Sequence, residues 1–335
     1  SEKRTLYFAF DPSTDSMTIG NLASAIMVRH FIAHGHNAYL LVGGATGMIG
    51  DPDGKAQERE LLTLEQLAEN KQKIAKQYKT VFAGQDFTVV DNYDWFKDIH
   101  YLGFLRDIGK HVPMSRMLGR DFVQSRLSED GAGISYAEFS YSLIQGYDYL
   151  HLYRNHNVTL QLCGADQWGN SIAGVDLIRR LEGAETHVWS TPLIVNKATG
   201  KKFGKTEDGA ILLDENKTSV YKFYQFWINA DDEGVEEYLK IYTLLDKSTI
   251  DEIMTAHNEA KANRLAQKHL AFEVTKLVHG EARATSIQVL SETLFGGKPY
   301  NELTAADFRE LKTELPSKRV HVGDSLDQIL ADTNL

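Results

Sequence analysis

The N-terminal part of the chain switches repeatedly between two hydrophobic periods, and this limits its architecture more than any other feature. Leu6 to Phe10 is a short apolar run with strand character, closed by Asp11-Pro12. Ile19-Gly20-Asn21 then opens a helix that runs to about His34, with Leu22, Ile26 and Phe31 on its apolar side and Gly35 as its stop. Ala38 to Val42 is a second strand, followed by the glycine-dense turn Gly43-Gly44-Ala45-Thr46-Gly47. A long helix starting at Thr63 or Glu65 ends near Phe82, and Phe87 to Val90 is a third strand. Strand, helix, strand, helix, strand at these short spacings predicts an open parallel sheet in the doubly wound style.

Tyr93 to about Tyr153 is mostly helical, broken at Asp107–Gly109 and Asp130–Gly133. Thr159 to Cys163 returns to strand, a helix follows from Gly169 through Leu181, and Val188 to Val195 reads as the last core strand. The expected fold is therefore α/β: a Rossmann-like parallel sheet over residues 1–212 with a helical insertion at about 93–153. Composition changes after about Leu213. Ser219–Phe226, Val235–Leu244, Thr249–His257 and Lys261–Leu277 are helical by period, and the periodic helices run out near Gly280. Residues 213–290 are expected to form an α-helical domain. Residues 291–335 read as a linker and mixed segment with a late helix at Asp324–Ala331.

At 335 residues and 42% hydrophobic, the chain is large enough for two domains with real cores. One cysteine, Cys163, rules out an internal disulfide and cannot build a structural zinc site. His111, His151 and His156 share no ligand spacing. No apolar run reaches the roughly 18 residues of a membrane span, and no signal peptide opens the chain. The net charge of -10 argues against a general nucleic-acid coat and leaves an RNA partner only local basic patches. No serine sits in a nucleophile elbow, so hydrolase chemistry has little support.

Two separated strings can bracket a nucleoside triphosphate: Asp11 to Asn21 at the head of a helix, and Lys201-Lys202-Phe203-Gly204-Lys205-Thr206 in a loop. Free N–H groups at the helix start favour an anion. Gly20 lets a flat base or ribose approach, and Thr18 offers a hydroxyl to phosphate. The same residues also read as an ordinary capped helix start, with Asn21 helping the first turn. Asp51 lies beyond the second strand, where parallel sheets bind ligands, and Lys55 and Arg59 can share a helical face. They serve equally well as solvated charges. The glycine run lacks the Gly-Lys-Ser/Thr of a Walker loop. Tyr141, Gln145 and Asp148 fall four and three apart, so one helix face carries a phenol, an amide and a carboxylate. Burying such a set costs roughly 2–7 kcal/mol per unpaired group. A small zwitterionic ligand would satisfy it, as would an internal polar network. Tyr7 can reach the same pocket. In Gly164-Ala165-Asp166-Gln167-Trp168, Asp166 can accept ribose hydroxyls, Gln167 can reach an amino acid, and Trp168 reads as packing. Lys202 and Lys205 around Gly204 form a cationic loop or a plain surface cluster.

Taken together, YFAFDPSTDS, LVGGATGMIGDP, NYDWF, FLRDIGKH, EFSYSLIQGYD, CGADQWGN and KKFGKTEDGA resemble the bacterial-type tyrosyl-tRNA synthetases, a class I family, over almost the whole chain. The resemblance implies ATP-dependent activation of L-tyrosine and transfer to tRNA(Tyr). It implies that Tyr7 and Asp148 hold the phenol hydroxyl, while Asp51, Tyr141, Gln145 and Gln167 surround the ammonium and carboxylate. Asp11, Gly20, Asn21, Gly164 and Asp166 would line the adenosine side. Thr18, Lys55, Arg59, Lys202, Lys205 and Thr206 would meet the triphosphate, with Mg²⁺ riding on the phosphates and no protein metal site. It further implies a homodimer through the insertion near Tyr136, and a cytoplasmic or organellar-matrix location. The helical domain would approach the anticodon arm.

The family often continues into a small basic RNA-binding domain, and the last residues resemble its opening helix. A truncated chain that activates tyrosine but charges tRNA poorly is the expectation. Two departures stand out. The signature His-Ile-Gly-His is replaced by Thr18-Ile19-Gly20-Asn21, and Phe8-Ala9 stands where Cys-Gly is common. Slower activation or altered ATP affinity would follow. Competing readings are a tryptophan-specific relative, disfavoured by Tyr7 and Asp148, a nonenzymatic RNA-binding derivative, and a nucleotidylyltransferase of the same fold.

Overall fold

A computed structural model describes residues 2–52, 61–128, 130–131, 133–197, 199–200, 203–206, 209–315, 317, 319–321, 323 and 325–332. It divides into two compact units, Ser1–Ile211 and Leu212–Leu335.

The first unit is built on five parallel strands: β1 (Thr5–Phe10), β2 (Asn37–Val42), β3 (Thr88–Asp91), β4 (Leu160–Gly164) and β5 (His187–Thr191). Their spatial order is β3-β2-β1-β4-β5. The chain winds outward from β1 to one edge and then crosses to the other side, so the strand order reverses at the β1/β4 seam, where such sheets open a crevice. Register is direct, with Tyr7 opposite Tyr39 on one side and Gln161 on the other. The last strand ends at Thr191 instead of reaching Val195, because Pro192 cannot donate to the ladder.

Helices α1 (Ile19–Ala33) and α2 (Leu64–Val81) connect the first three strands. Thr63 caps α2, its hydroxyl and the Gln66 amide closing a reciprocal box worth about 1 kcal/mol. The insertion consists of α3 (Tyr93–Phe96), α4 (Tyr101–Asp107), α5 (Met114–Leu118), α6 (Asp121–Leu127) and the long α7 (Tyr136–His156). Helix α7 runs one turn past the expected boundary and stops where Asn157 takes a left-handed conformation. Helix α8 (Trp168–Glu182) packs against it. Neighbouring residues of β1 face opposite layers. The Tyr7 ring meets Tyr149 of α7 at 5.1 Å, whereas Phe8 and Phe10 meet Tyr78 of α2. One core therefore joins Tyr7, Leu41, Leu143, Tyr149, Leu150, Leu177 and Ile178. A short hairpin, β6 (Lys205–Thr206) and β7 (Gly209–Ala210), closes the unit.

The second unit is helical: α9 (Val220–Ile228), α10 (Val235–Tyr242), α11 (Lys247–Glu259), α12 (Leu265–His279), α13 (Glu281–Phe295), α14 (Ala305–Glu314) and α15 (Leu326–Asp332). Phe223, Tyr224, Trp227, Tyr238, Tyr242, Leu270, Val274 and Ile287 are buried in its core. The periodic helices do not run out near Gly280. That glycine ends α12, and α13 starts at the next residue and packs on α12 and α9.

Candidate active site

The C-terminal ends of β1, β2 and β4 carry the expected polar residues into one crevice, and the end of β3 adds Asn92. Tyr141, Gln145 and Asp148 occupy one face of α7, and all three are buried. Tyr7 is fully buried beneath them, and its hydroxyl has no hydrogen-bond partner among the described residues. Burial, with the Asp148 carboxylate nearby, holds that phenol well above its ordinary pKa. Asp148 is held by two donors: Asn92 Nδ2 reaches Oδ2 at 3.1 Å, and Trp95 Nε1 reaches Oδ1 at 2.9 Å. Burial still pushes the Asp148 carboxyl well above the usual range, against the pull of those two bonds. His151 stacks on the far face of the Trp95 indole, with centroids 4.3 Å apart.

A second polar group lies alongside. The Tyr141 hydroxyl donates to Asp11 Oδ2 at 2.6 Å, and Thr46 Oγ1 donates to Asp11 Oδ1 at 2.6 Å. Asp11, expected along the adenosine side, thus has both oxygens tied to α7 and the glycine turn. Burial and the charges of Asp11, Asp51 and Asp148 keep Tyr141 protonated. Asp51 accepts from Gln167 Nε2 at 2.5 Å, and Asn170 donates to Gln167 Oε1 at 3.2 Å. Asp11 and Asp51, both close enough to act on the Tyr141 phenol, make this side of the crevice electronegative, which suits an ammonium group. Gly164 stands at the mouth of β4, and Asp166 is exposed beside it.

Thr18 and Asn21 close on each other. Thr18 caps α1, its hydroxyl donates to Asn21 Oδ1 at 2.9 Å, and Asn21 Oδ1 also takes the Thr18 N–H at 2.9 Å. Among their side-chain donors, only the Nδ2 of Asn21 is not used in this cap. Gly20 is exposed in the first turn, and an added Cβ would touch only Thr18 Oγ1, at an ordinary 3.5 Å. The described residues therefore leave the space over Gly20 open.

The second string comes up against the first. The Gly204 φ of +88° is left-handed, and a Cβ there would fall 2.5 Å from Cγ1 of Ile19, so only glycine fits. Ile211 N donates to Gly204 O at 3.1 Å, and Ile19 N donates to Ile211 O at 3.2 Å. Lys205 and Thr206 form β6, with their side chains outside the description. Lys55, Arg59 and Lys202 lie outside the described residues.

One expectation fails. Trp168 does not pack in the core. It is 49% exposed and lines a cavity of about 380 Å³ with His111, Arg116, Arg120 and Ile172, because it sits on the first turn of α8 where the helix leaves the sheet. Sequence reasoning also passed over Asn92, Trp95, Thr46 and Asn170. Asn92 and Trp95 lie within NYDWF, just after a strand end, and that position was the available signal. Among the described residues, no three His, Cys, Asp or Glu side chains converge as metal ligands, and no helix is long and apolar enough to cross a membrane.

An open parallel sheet with a polar crevice at its switch point, and two cationic or capping strings beside it, is the layout of a nucleotide-dependent activating enzyme. The family model for tRNA synthetases class I (W and Y) matches residues 1–296, and the chain belongs to that family. Tyrosine–tRNA ligases are among its relatives. A tyrosine–tRNA ligase of Flavobacterium psychrophilum is 44% identical, covering 96% of this chain and 77% of its own. One of Levilactobacillus brevis is 45% identical with the same coverage. Among solved structures, a C-terminally truncated mitochondrial tyrosyl-tRNA synthetase of Aspergillus nidulans superposes with a TM-score of 0.80 at 30% identity, over 88% of this chain and 86% of its own.

Proposed function

We propose that the crevice holds L-tyrosine with its phenol between Tyr7 and Asp148, and with its ammonium among Asp51, Tyr141, Gln145 and Asp11. The reaction is ATP-dependent activation of tyrosine to tyrosyl-adenylate, followed by transfer to the 3′ end of tRNA(Tyr). The observation that carries the substrate assignment is the buried Tyr7 hydroxyl, unpartnered among the described residues and next to a buried carboxyl that two donors hold in place. A buried hydroxyl without a partner costs about 1–3 kcal/mol, which a bound phenol oxygen would recover. An indole has no hydroxyl to offer there, which disfavours tryptophan.

The tyrosine carboxylate is already an anion, so attack on the α-phosphorus needs no general base. Catalysis is alignment plus stabilisation of spreading charge. Gln167, held by Asp51, would orient the carboxylate. Asp166 and Gly164 would meet the ribose, and the open surface over Gly20 the base. Asn21 Nδ2, Lys55, Arg59, Lys202, Lys205 and Thr206 would meet the phosphates. Thr18, closed into the cap, would then act mainly by fixing the helix start. Mg²⁺ carried on the phosphates would neutralise part of their charge. Pyrophosphate leaves, and the tRNA hydroxyl then attacks the activated carbonyl and releases AMP.

A homodimer through the insertion is supported by large exposed apolar groups on it. Tyr136 is 63%, Tyr101 61% and Leu102 77% exposed, and the two tyrosine hydroxyls lie 3.4 Å apart. The helical second unit is the candidate for contact with the anticodon arm, and the cytoplasm or an organelle matrix is the expected setting. Amino-acid-dependent pyrophosphate exchange tests the whole reading. Exchange with tyrosine alone is expected, and exchange with tryptophan or with no amino acid would overturn it.

A further inference from the structure

The glycine turn after β2 is anchored by residues that do not face the proposed substrate. Lys71 on α2 pairs with Oδ2 of Asp91 at the end of β3. Asp91 Oδ1 accepts the N–H of Gly44 at 3.2 Å and of Tyr93 at 2.9 Å. The fit is close: a Cβ on Gly44 would stand 2.2 Å from Asp91 Oδ1. From this anchor two short paths lead to the crevice. The next residue of the turn, Ala45, donates its N–H to Asn92 Oδ1 at 2.7 Å. Asn92, next to Asp91 in the chain, then spends Nδ2 on both Thr46 Oγ1 and Asp148 Oδ2, each at 3.1 Å. The Asn92 backbone N–H is fixed in turn on Val42 O at 3.1 Å.

The three groups bonded to the Asp91 carboxylate are all donors, so an amide NH₂ in place of either oxygen would face one of them. Recognition sites work only when the recognising group is held within roughly 0.5 Å by its supporting bonds. We propose that Asp91, braced by Lys71, is a positioning residue for tyrosine: it sets the glycine turn and Asn92, and through Asn92 the orientation of the Asp148 carboxyl. This rests on the reading of Asp148 as the phenol-binding group.

The test uses two inhibitors that differ only in the phenol hydroxyl, L-tyrosinol and L-phenylalaninol, against the full chain and its Asp91→Ala, Asp91→Asn, Lys71→Met and Asp148→Asn variants. Thermal unfolding is measured in parallel. Asp91→Ala is expected to weaken tyrosinol about 10- to 100-fold, the usual range for an outer supporting partner, and phenylalaninol by about threefold or less. Asp91→Asn and Lys71→Met should show the same selectivity at smaller size, and decide the matter if Asp91→Ala does not fold. Equal losses for both inhibitors, or a lowered melting temperature with unchanged inhibition, would overturn the proposal. If Asp148→Asn is selective for tyrosinol and the Asp91 variants are not, only the positioning role falls. If Asp148→Asn is itself unselective, the phenol assignment falls and takes this inference with it.

Discussion

The indole N–H of Trp95 donates to Oδ1 of Asp148 at 2.9 Å, while Asn92 occupies the other oxygen. Both oxygens are thus oriented by the protein in advance, and the remaining lone pairs are aimed by bonds that have nothing to do with catalysis. In Asp148→Asn, one end of the side chain becomes an NH₂ that must face either the Trp95 or the Asn92 donor. Tyrosine activation in this variant should fall about 10- to 100-fold, from loss of a bond to a charged group, with the fold intact. Comparing kcat/KM for tyrosine and phenylalanine checks this; an unchanged preference would remove Asp148 from the phenol site.

The loop after Phe203 is assigned to the phosphates, so its effect should appear in the transition state and not in tyrosine affinity. Lys205→Ala should lower the maximal rate of adenylate formation by about 10- to 1,000-fold, with tyrosine Kd nearly constant. Single-turnover kinetics separate the two quantities, and a loss in Kd alone would contradict the assignment.

Arg126 and Glu138 form a buried bidentate pair, 2.7 and 2.9 Å, and Arg126 also donates to Gly133 O at 2.6 Å. Glu138 is at the same time the reciprocal partner in the box that starts α7. Arg126→Met leaves a buried carboxylate without its counterion and should cost about 3–5 kcal/mol in denaturant unfolding. Arg126→Met with Glu138→Met should recover most of that loss. If the double variant is no more stable than the single one, the pair is not what holds this segment.

His279 in α12 is half-buried, its ring perpendicular to that of Phe223 with centroids 5.0 Å apart, and loss of solvent lowers its pKa to about 4 from an ordinary 6.5. The unfolded chain therefore takes up this proton before the folded one. Stability is unaffected above pH 6.5, falls as pH drops through the window from 6.5 to about 4, and levels off below. The whole effect is roughly 3 kcal/mol. His279→Phe should flatten this part of the stability–pH profile of the helical unit. An unchanged slope between pH 6.5 and 4 would show that another group carries it.

The sheet was readable because most strands are short apolar runs, closed in β1, β2 and β4 by Asp11-Pro12, Gly43 and Gly164, and α2 because Thr63 offers a cap ahead of an amphipathic run. The phenol, amide and carboxylate stripe on α7 was readable from spacing alone, since no other feature makes a buried helix face polar. Asn92 was not, because its meaning comes from Asp148, distant in sequence, and from a turn whose path no local pattern specifies. Trp168 misled for a similar reason: large aromatics usually pack, and only the departure of α8 from the sheet leaves this one in the open. At Gly280 a reliable helix stop was taken for the end of the helical packing, when the chain simply turned and continued.

Ile19 opens the helix of the first string, and its side chain rests where any side chain at position 204 would have to go. With Ile211 bonded to both residues, the two strings share a seam narrower than a methyl group. The two positions are therefore constrained differently: the left-handed φ of 204 admits only glycine whatever stands at 19, whereas 19 can shrink but has no room to grow toward 204. Shortening Ile19 alone would widen the seam between the two strings without touching a single charged group.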